Sequence, residues 1–223
     1  MSEGRPRRVL AIGAHPDDIE IGCSGTLLRL ADAGCEVSLY IATKGERGGQ
    51  TEVREREALR AADKMGAVEV IWGGFIDCEV PDGLPLIENI EGAIARARPD
   101  MLFVHFPDDT HQDHRAVAVA AQSAGRRVPD FLFYESPTTQ HFTPVVYCDI
   151  ESTITRKIEL LETHFSQVAR TNIEGLPITD IARAAAIRRG IEIYRRYAEA
   201  FRPTRFALEP EGKRIFYGED GTG

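Results

Sequence analysis

The sequence predicts an α/β fold: one domain with a mainly parallel sheet covered by helices on both faces. Three observations point there. Short aliphatic runs alternate with longer stretches of helical apolar spacing, the pattern of repeated strand–helix units. The chain has 223 residues, 43% hydrophobic and 28% charged, which suits a single globular domain with a real core. Two polar clusters, at 14–18 and 111–114, each follow a strand-like run and open a helix-like segment. In open α/β sheets ligands bind at such places, outside the carboxyl ends of the strands.

Residues 9–13 are the first expected strand. Residues 19–33 follow as a helix, with Leu27, Leu28 and Leu30 to bury and Gly34 as a stop signal. Residues 36–42 alternate Val37, Leu39 and Ile41 as a second strand. The polar, glycine-rich stretch 43–50 lacks the G-x-x-x-x-G-K-[ST] spacing that cradles phosphates, so a mobile wall of the site is its expected role. A charged helix over 51–65 ends at Gly66, and 68–72 is a third strand. After a loop rich in Gly, Pro and Asp, residues 86–97 place Leu86, Ile90, Ile94 and Ala97 at helical spacing. Residues 101–105 form a fourth strand, 116–124 a helix of small residues, and 131–134 and 145–149 two short strands. Ile154, Ile158, Leu161 and Phe165 mark one helix face; Ile187, Ile191, Tyr194 and Ala198 mark another. The long polar link 166–179 suits a lid or an oligomer contact. The expected domain is the whole of 1–223, with its core at about 9–201 and a frayed tail at about 209–223.

Composition excludes several functions. The net charge is -8 and no basic patch tracks phosphates, so no nucleic-acid partner is expected. No segment approaches the ~20 apolar residues of a membrane span. The apolar run after Met1–Arg8 is too short for a secretory core. Cys23, Cys35, Cys78 and Cys148 show no C-x-x-C pair and read as reduced thiols of a cytoplasmic protein. Only Cys23 is near a cluster in sequence.

In the first cluster, Ala14-His15-Pro16-Asp17-Asp18, one imidazole and two carboxylates share a turn. Such groups ligate zinc and similar ions. His15 and Asp18 can then hold one ion while Asp17 acts on a water. Equally, Asp17 or Asp18 can cap the helix and His15 can be a buried, satisfied ring. The second cluster, His111-Gln112-Asp113-His114, taken alone also reads as a solvated loop. Two such clusters, each just past a strand, favour a shared site.

The stretch Ala14-His15-Pro16-Asp17-Asp18-Ile19-Glu20-Ile21-Gly22, with Gly25-Thr26-Leu27, resembles the first motif of the LmbE-like (PIG-L) metal-dependent N-deacetylases. His111-Gln112-Asp113-His114-Arg115 resembles their second motif. This family includes the deacetylases of bacillithiol, mycothiol and glycosylphosphatidylinositol synthesis, among them the N-acetylglucosaminyl-malate deacetylases. The resemblance runs from about 9 to 201. It implies a Rossmann-like sandwich and a hydrolase that removes an N-acetyl group from an N-acetylglucosamine-type conjugate. It also implies one divalent ion per chain, Zn2+ first with Fe2+ also suited, and a homo-oligomer. By motif the ligands are His15, Asp18 and His114, and Asp17 is the general base. His111 stabilises the oxyanion and protonates the leaving nitrogen, and Arg54 contacts substrate hydroxyls.

Asp113 is expected to orient an imidazole through its N–H, with a helix cap as the alternative. For Arg54 the alternative is a surface salt bridge, and Arg56 takes its place if the register shifts by two. His164 and Glu199 lie in family-like segments and are expected to support packing; His105 and His141 match no motif. Three other readings remain. A Rossmann-type nucleotide-binding module lacks its G-x-G-x-x-G, and a pyrophosphate would meet Asp17 and Asp18. A hydrolase of another bond, such as a phosphoester, often needs a second metal, for which the sequence offers too few spare carboxylates. A non-catalytic metal carrier is the third.

Overall fold

The computed structural model describes residues 6–171 and 173–207. Five strands run parallel: β1 (Arg8–Gly13), β2 (Glu36–Thr43), β3 (Glu69–Phe75), β4 (Met101–His105) and β5 (Asp130–Tyr134). Two more, β6 (Val146–Asp149) and β7 (Ala198–Arg205), extend the sheet antiparallel beyond β5. The order is β3-β2-β1-β4-β5-β7-β6. From β1 the chain winds outward through β2 and β3, then returns to β4 on the other side of β1. The switch point therefore lies between β1 and β4, where a ligand crevice is expected.

Six helices cover the sheet: α1 (Asp18–Asp32), α2 (Thr51–Met65), α3 (Leu84–Ala97), α4 (Gln112–Ala124), α5 (Ile154–Thr163) and α6 (Ile178–Glu192). Strand alternation divides the core between two faces. Val9 and Ala11 of β1 join Leu27, Leu28, Ala58 and Leu160 from α1, α2 and α5. Leu10 and Ile12 join Leu86, Ile90, Val117 and Ala121 from α3 and α4. The run of alanines on α4 is buried at Ala116, Ala118, Ala120 and Ala121, so this helix lies close to the sheet. Gly22 does the same for α1: a Cβ there would overlap the Tyr134 ring, whose hydroxyl donates to Ile12 O at 2.8 Å.

The C-terminal part departs from the sequence reading. Ile187, Ile191, Tyr194 and Ala198 do not form one helix face. α6 ends at Glu192, Ile187, Ile191 and Tyr194 are exposed, and Ala198 opens β7. The buried face of α6 carries Ala182, Ala186, Arg189 and Gly190, small or charged residues that apolar periodicity does not reveal. A Cβ at Gly190 would sit 2.6 Å from Arg195 O, so the returning chain needs that glycine. The expected frayed tail lies outside the described residues.

Candidate metal centre and active site

The β1–α1 turn is folded around the carboxylate of Asp18. Its Oδ2 accepts from Ala14 N at 3.0 Å and from His15 N at 2.7 Å. Asp17 stands at the N-cap position of α1 but makes no capping hydrogen bond, and its φ is 100°. A non-glycine residue held there costs about 1–3 kcal/mol, so the rest of the turn must impose it. The capping reading of Asp17 is thereby set aside.

At the start of α4 the cap is His111, whose Nδ1 accepts from Asp113 N at 3.2 Å. A neutral imidazole accepting at Nδ1 carries its proton on Nε2. Asp113 is free for another task. Its Oδ2 accepts from Cys78 N at 2.7 Å and lies 3.1 Å from His15 Nε2.

The two histidines of the expected ligand set have matching surroundings. His15 Nδ1 is 3.3 Å from Asp18 Oδ2, and His114 Nε2 is 3.4 Å from Asp18 Oδ1. The far nitrogen of each ring faces a different carboxylate: Asp113 for His15, and Asp109 Oδ2 at 3.3 Å for His114. Imidazoles that ligate a metal commonly present their other N–H to a carboxylate in this way. His15 and His114 thus each approach a different oxygen of Asp18, and nitrogen and carboxylate donors of this kind suit a divalent ion. His111 joins His15 and His114 in one donor group, and His105 joins Asp18 and His114 in another.

Electrostatics agree with that fit. Burial opposes charge on His15, yet Asp18, Asp113 and Asp77 hold its pKa well above the usual value. Burial likewise opposes charge on His114, but Asp18 and Asp109 raise its pKa to about 9. Burial would raise Asp18, and the surrounding His114, His105 and His15 carry it well below the carboxylate range instead. The centre is rich in negative charge, and protons on imidazole balance it where a cation otherwise would. Asp17 differs: burial pushes its carboxyl up to about 6, against the pull of the Arg54 guanidinium. His111 is lowered by burial and by the neighbouring His15 and His114.

Arg54 is buried, not a surface residue. Its guanidinium donates to Gly45 O at 2.9 Å and Pro16 O at 2.8 Å and lies 3.5 Å from Asp17 Oδ1. This explains the glycine-rich stretch, since a Cβ at Gly45 or Gly48 would overlap that guanidinium. The loop cradles an arginine, where a Walker loop cradles a phosphate. Its outer side is tied down: Gly48 O accepts from Gln167 Nε2 at 3.2 Å and from Arg170. The first part of the 166–179 link therefore packs against the wall of the site.

All seven expected site residues converge: His15, Asp17, Asp18, Arg54, His111, Asp113 and His114. Three more belong with them. His105, fully buried at the end of β4, stacks on His114 at 3.9 Å between centroids, with its Nε2 3.1 Å from Asp18 Oδ2. Burial and His114 bring its pKa down to about 4. Asp109 backs His114, and Asp77 Oδ1 is 3.2 Å from His15 Nε2. His141 is exposed and pairs with Asp108. His164 is buried 3.5 Å from Glu20. A separate cavity of ≈ 210 Å³ between α1, α6 and β7 is lined by Lys157, Arg189 and Glu199 and by none of the donor residues.

The family described as GlcNAc-PI de-N-acetylase (PIG-L) matches residues 10–125, which contain both clusters. The chain belongs to this family. It is 34% identical over 174 residues to an uncharacterized deacetylase of Escherichia coli (strain K12), covering 74% of this chain and 94% of that protein. It is 27% identical over 187 residues to the diacetylchitobiose deacetylase of Thermococcus kodakarensis, covering 72% and 70%. Among solved structures, a conserved protein from Thermus thermophilus matches with a TM-score of 0.81 at 26% identity, over 93% of this chain and 99% of that one. The enzyme class is that of the family, a hydrolase acting on amide C–N bonds. Among the described residues no helix is long and apolar enough to cross a membrane.

Proposed function

We propose that this protein removes the acetyl group from an N-acetylglucosamine-type amino-sugar conjugate, with one divalent ion held by His15, Asp18 and His114. The observation that carries this reading is the pair of imidazoles set between Asp18 and two outer carboxylates, beside a base of raised pKa. Nitrogen and carboxylate donors suit Zn2+ first and Fe2+ as well. Such an ion supplies Lewis acidity toward a carbonyl oxygen and makes a nearby water more acidic.

The residues of the chain do the rest. Asp17 accepts a proton at its carboxylate from the attacking water, and a pKa of about 6 leaves it mostly ionised at neutral pH. His111 donates its Nε2–H as a hydrogen bond to the oxygen that gains charge, and the proton that Asp17 took from the water goes on to the departing amine. Asp113 and Asp109 fix the ring orientations of His15 and His114. Arg54 holds Asp17 against the glycine loop at the substrate side. In Arg54→Lys, a rise in KM alone would mark contact with substrate hydroxyls, and a fall in kcat alone would mark positioning of Asp17.

Acetate release from a panel of N-acetylated sugars, with metal analysis of the same preparation, tests the whole reading. A 1-O-linked conjugate should exceed free N-acetylglucosamine in kcat/KM, because remote contacts help place the amide. No release from any amino sugar would sink the proposal. A homo-oligomer is also part of it. Phe165, Ile173, Ile191 and Tyr194 are exposed in one late stretch of chain, and self-association is a way to cover such side chains. A monomer by sedimentation at micromolar concentration would remove that element. Residence in the cytoplasm is proposed from the four unpaired thiols.

A further inference from the structure

The donor groups include two sets with no residue in common. Asp18, His105 and His114 form one; His15, Asp77, His111 and Asp113 form the other. Within each set, one donor atom per residue lies within 4.8 Å of every other. The ion of the proposed function draws from the second set only the Nδ1 of His15. Asp77, His111 and Asp113 remain on the far side of that ring.

Besides His15, the donors to the carboxylates of Asp77 and Asp113 carry no charge: Arg47 N to Asp77 Oδ2 at 3.0 Å, Cys78 Sγ to Asp77 Oδ1 at 3.3 Å and Cys78 N to Asp113 Oδ2 at 2.7 Å. His15 Nε2 faces Asp77 Oδ1 at 3.2 Å and Asp113 Oδ2 at 3.1 Å. An imidazole with Nδ1 on an ion has a single N–H to share between these two carboxylates. Asp113 is fully buried and its Oδ1 has no hydrogen-bond partner. An orphaned carboxylate oxygen in a closed site is an open valence. A spare carboxylate that the sequence does not disclose is thus present: Asp77 arrives from the loop after β3 and joins Asp113 of the first turn of α4.

We propose that Asp77, His111 and Asp113 form a second divalent-cation site, separated from the first ion by the ring of His15. Two carboxylates and an imidazole suit Zn2+, Co2+ or Mn2+. This site fills after the first. To ligate through Nε2, His111 must move its proton to Nδ1 and release the capping bond from Asp113 N, now 3.2 Å long. Asp113 must also give up part of its hold on His15. Occupancy removes the His111 Nε2–H from the oxygen that gains charge and loosens a ligand of the first ion, so excess metal slows turnover. The inference rests on the first-ion reading only for this order of filling.

The experiment is a titration of the metal-free full-length enzyme with Co2+, with bound metal counted by elemental analysis after dialysis and electron paramagnetic resonance recorded at each step. The expected result is two ions per chain at excess metal, with turnover rising on the first equivalent and falling on the second. Asp77→Asn should stop at one ion and lose the inhibition by excess metal. His114→Ala should lose the first ion and keep a weaker one. One ion per chain in the wild type across the whole range overturns the second site and leaves the proposed function standing; no ion at all overturns both. Two ions in Asp77→Asn also overturn it. The wild-type count does not depend on any variant folding.

Discussion

Two buried ionic clusters lie against α1, and they are built on opposite principles. Along the middle of the helix, Lys157 Nζ donates to Glu199 Oε1 and to Ile21 O, both at 2.6 Å. Glu199 in turn accepts from Gly25 N at 2.9 Å and Thr26 N at 2.7 Å. Both charged ends are paired and hydrogen-bonded. At the N-terminal end, by contrast, carboxylates and imidazoles crowd together, and Asp113 Oδ1, His105 Nδ1 and Arg54 Nε are buried without hydrogen-bond partners. A saturated network holds a fold together, whereas an unsaturated one in a closed site is poised to bind. Burial and charge alone do not separate the two; satisfaction of the hydrogen bonds does.

The largest effects should come from emptying the unsaturated cluster. His15→Ala, Asp18→Ala and His114→Ala should each lose the tightly held ion and reduce acetate release to background. Chelation of the wild type should do the same, reversibly. Elemental analysis beside kcat checks this, and full metal occupancy in any of the three variants would show that the ligand set is wrong.

Next comes Asp17, which the proposal makes a base and not a ligand. Asp17→Asn keeps the size of the side chain and removes its basicity. It should retain the metal and lower kcat by about 10²–10⁴-fold. If Asp17→Asn empties the site while Asp18→Ala keeps it filled, the two roles are reversed.

The saturated cluster should answer in stability instead. Lys157→Met leaves Glu199 buried without its cation, which should destabilise the fold by ~3–5 kcal/mol in chemical denaturation. The double variant Lys157→Met/Glu199→Gln should recover part of that loss, and the folded fraction of either should keep its kcat. A Lys157→Met enzyme of normal stability but low kcat would place this cluster in the chemistry and dissolve the contrast.

The same contrast explains what the sequence disclosed. His15, Asp17 and Asp18, like His111, Asp113 and His114, are short motifs at strand ends, so spacing and placement were enough to bring them together. The parallel strands and their helices followed from apolar periodicity for the same local reason. Asp77 and Asp109 carry no such signal, because each meets its histidine only through the fold: Asp77 and His15 are on different loops, and Asp109 reaches His114 by a turn of irregular chain. His105 closes a strand whose other residues are apolar, which hides it in a hydrophobic run. α6 and β7 depart from the apolar pattern because the face of α6 that packs inward holds alanines, a glycine and an arginine, while Ile187 and Ile191 are exposed. A pattern search follows the isoleucines.

The smallest predicted effect tests whether the contrast reaches beyond the atoms that touch the ion. Asp109 is held from several sides. Its Oδ1 accepts from His111 N at 2.9 Å, and its Oδ2 accepts from Ser136 Oγ at 2.8 Å and Thr139 Oγ1 at 2.9 Å. From that position Oδ2 also faces His114 Nδ1 at 3.3 Å. A carboxylate there fixes the tautomer of His114, keeps Nε2 free toward Asp18, and makes the ring a better donor. Asp109→Asn keeps the shape and most of these bonds but removes the charge. Metal affinity should fall by about 10–100-fold, with a smaller change in kcat once the ion is saturating. Ser136→Ala should weaken affinity less, because Thr139 and the backbone of His111 still hold Asp109. The measurement is a competitive chelator titration of each variant, with a thermal melt of the metal-free forms as a control. A loss of melting temperature with unchanged metal affinity would assign Asp109 to the scaffold, on the same side of the comparison as Glu199.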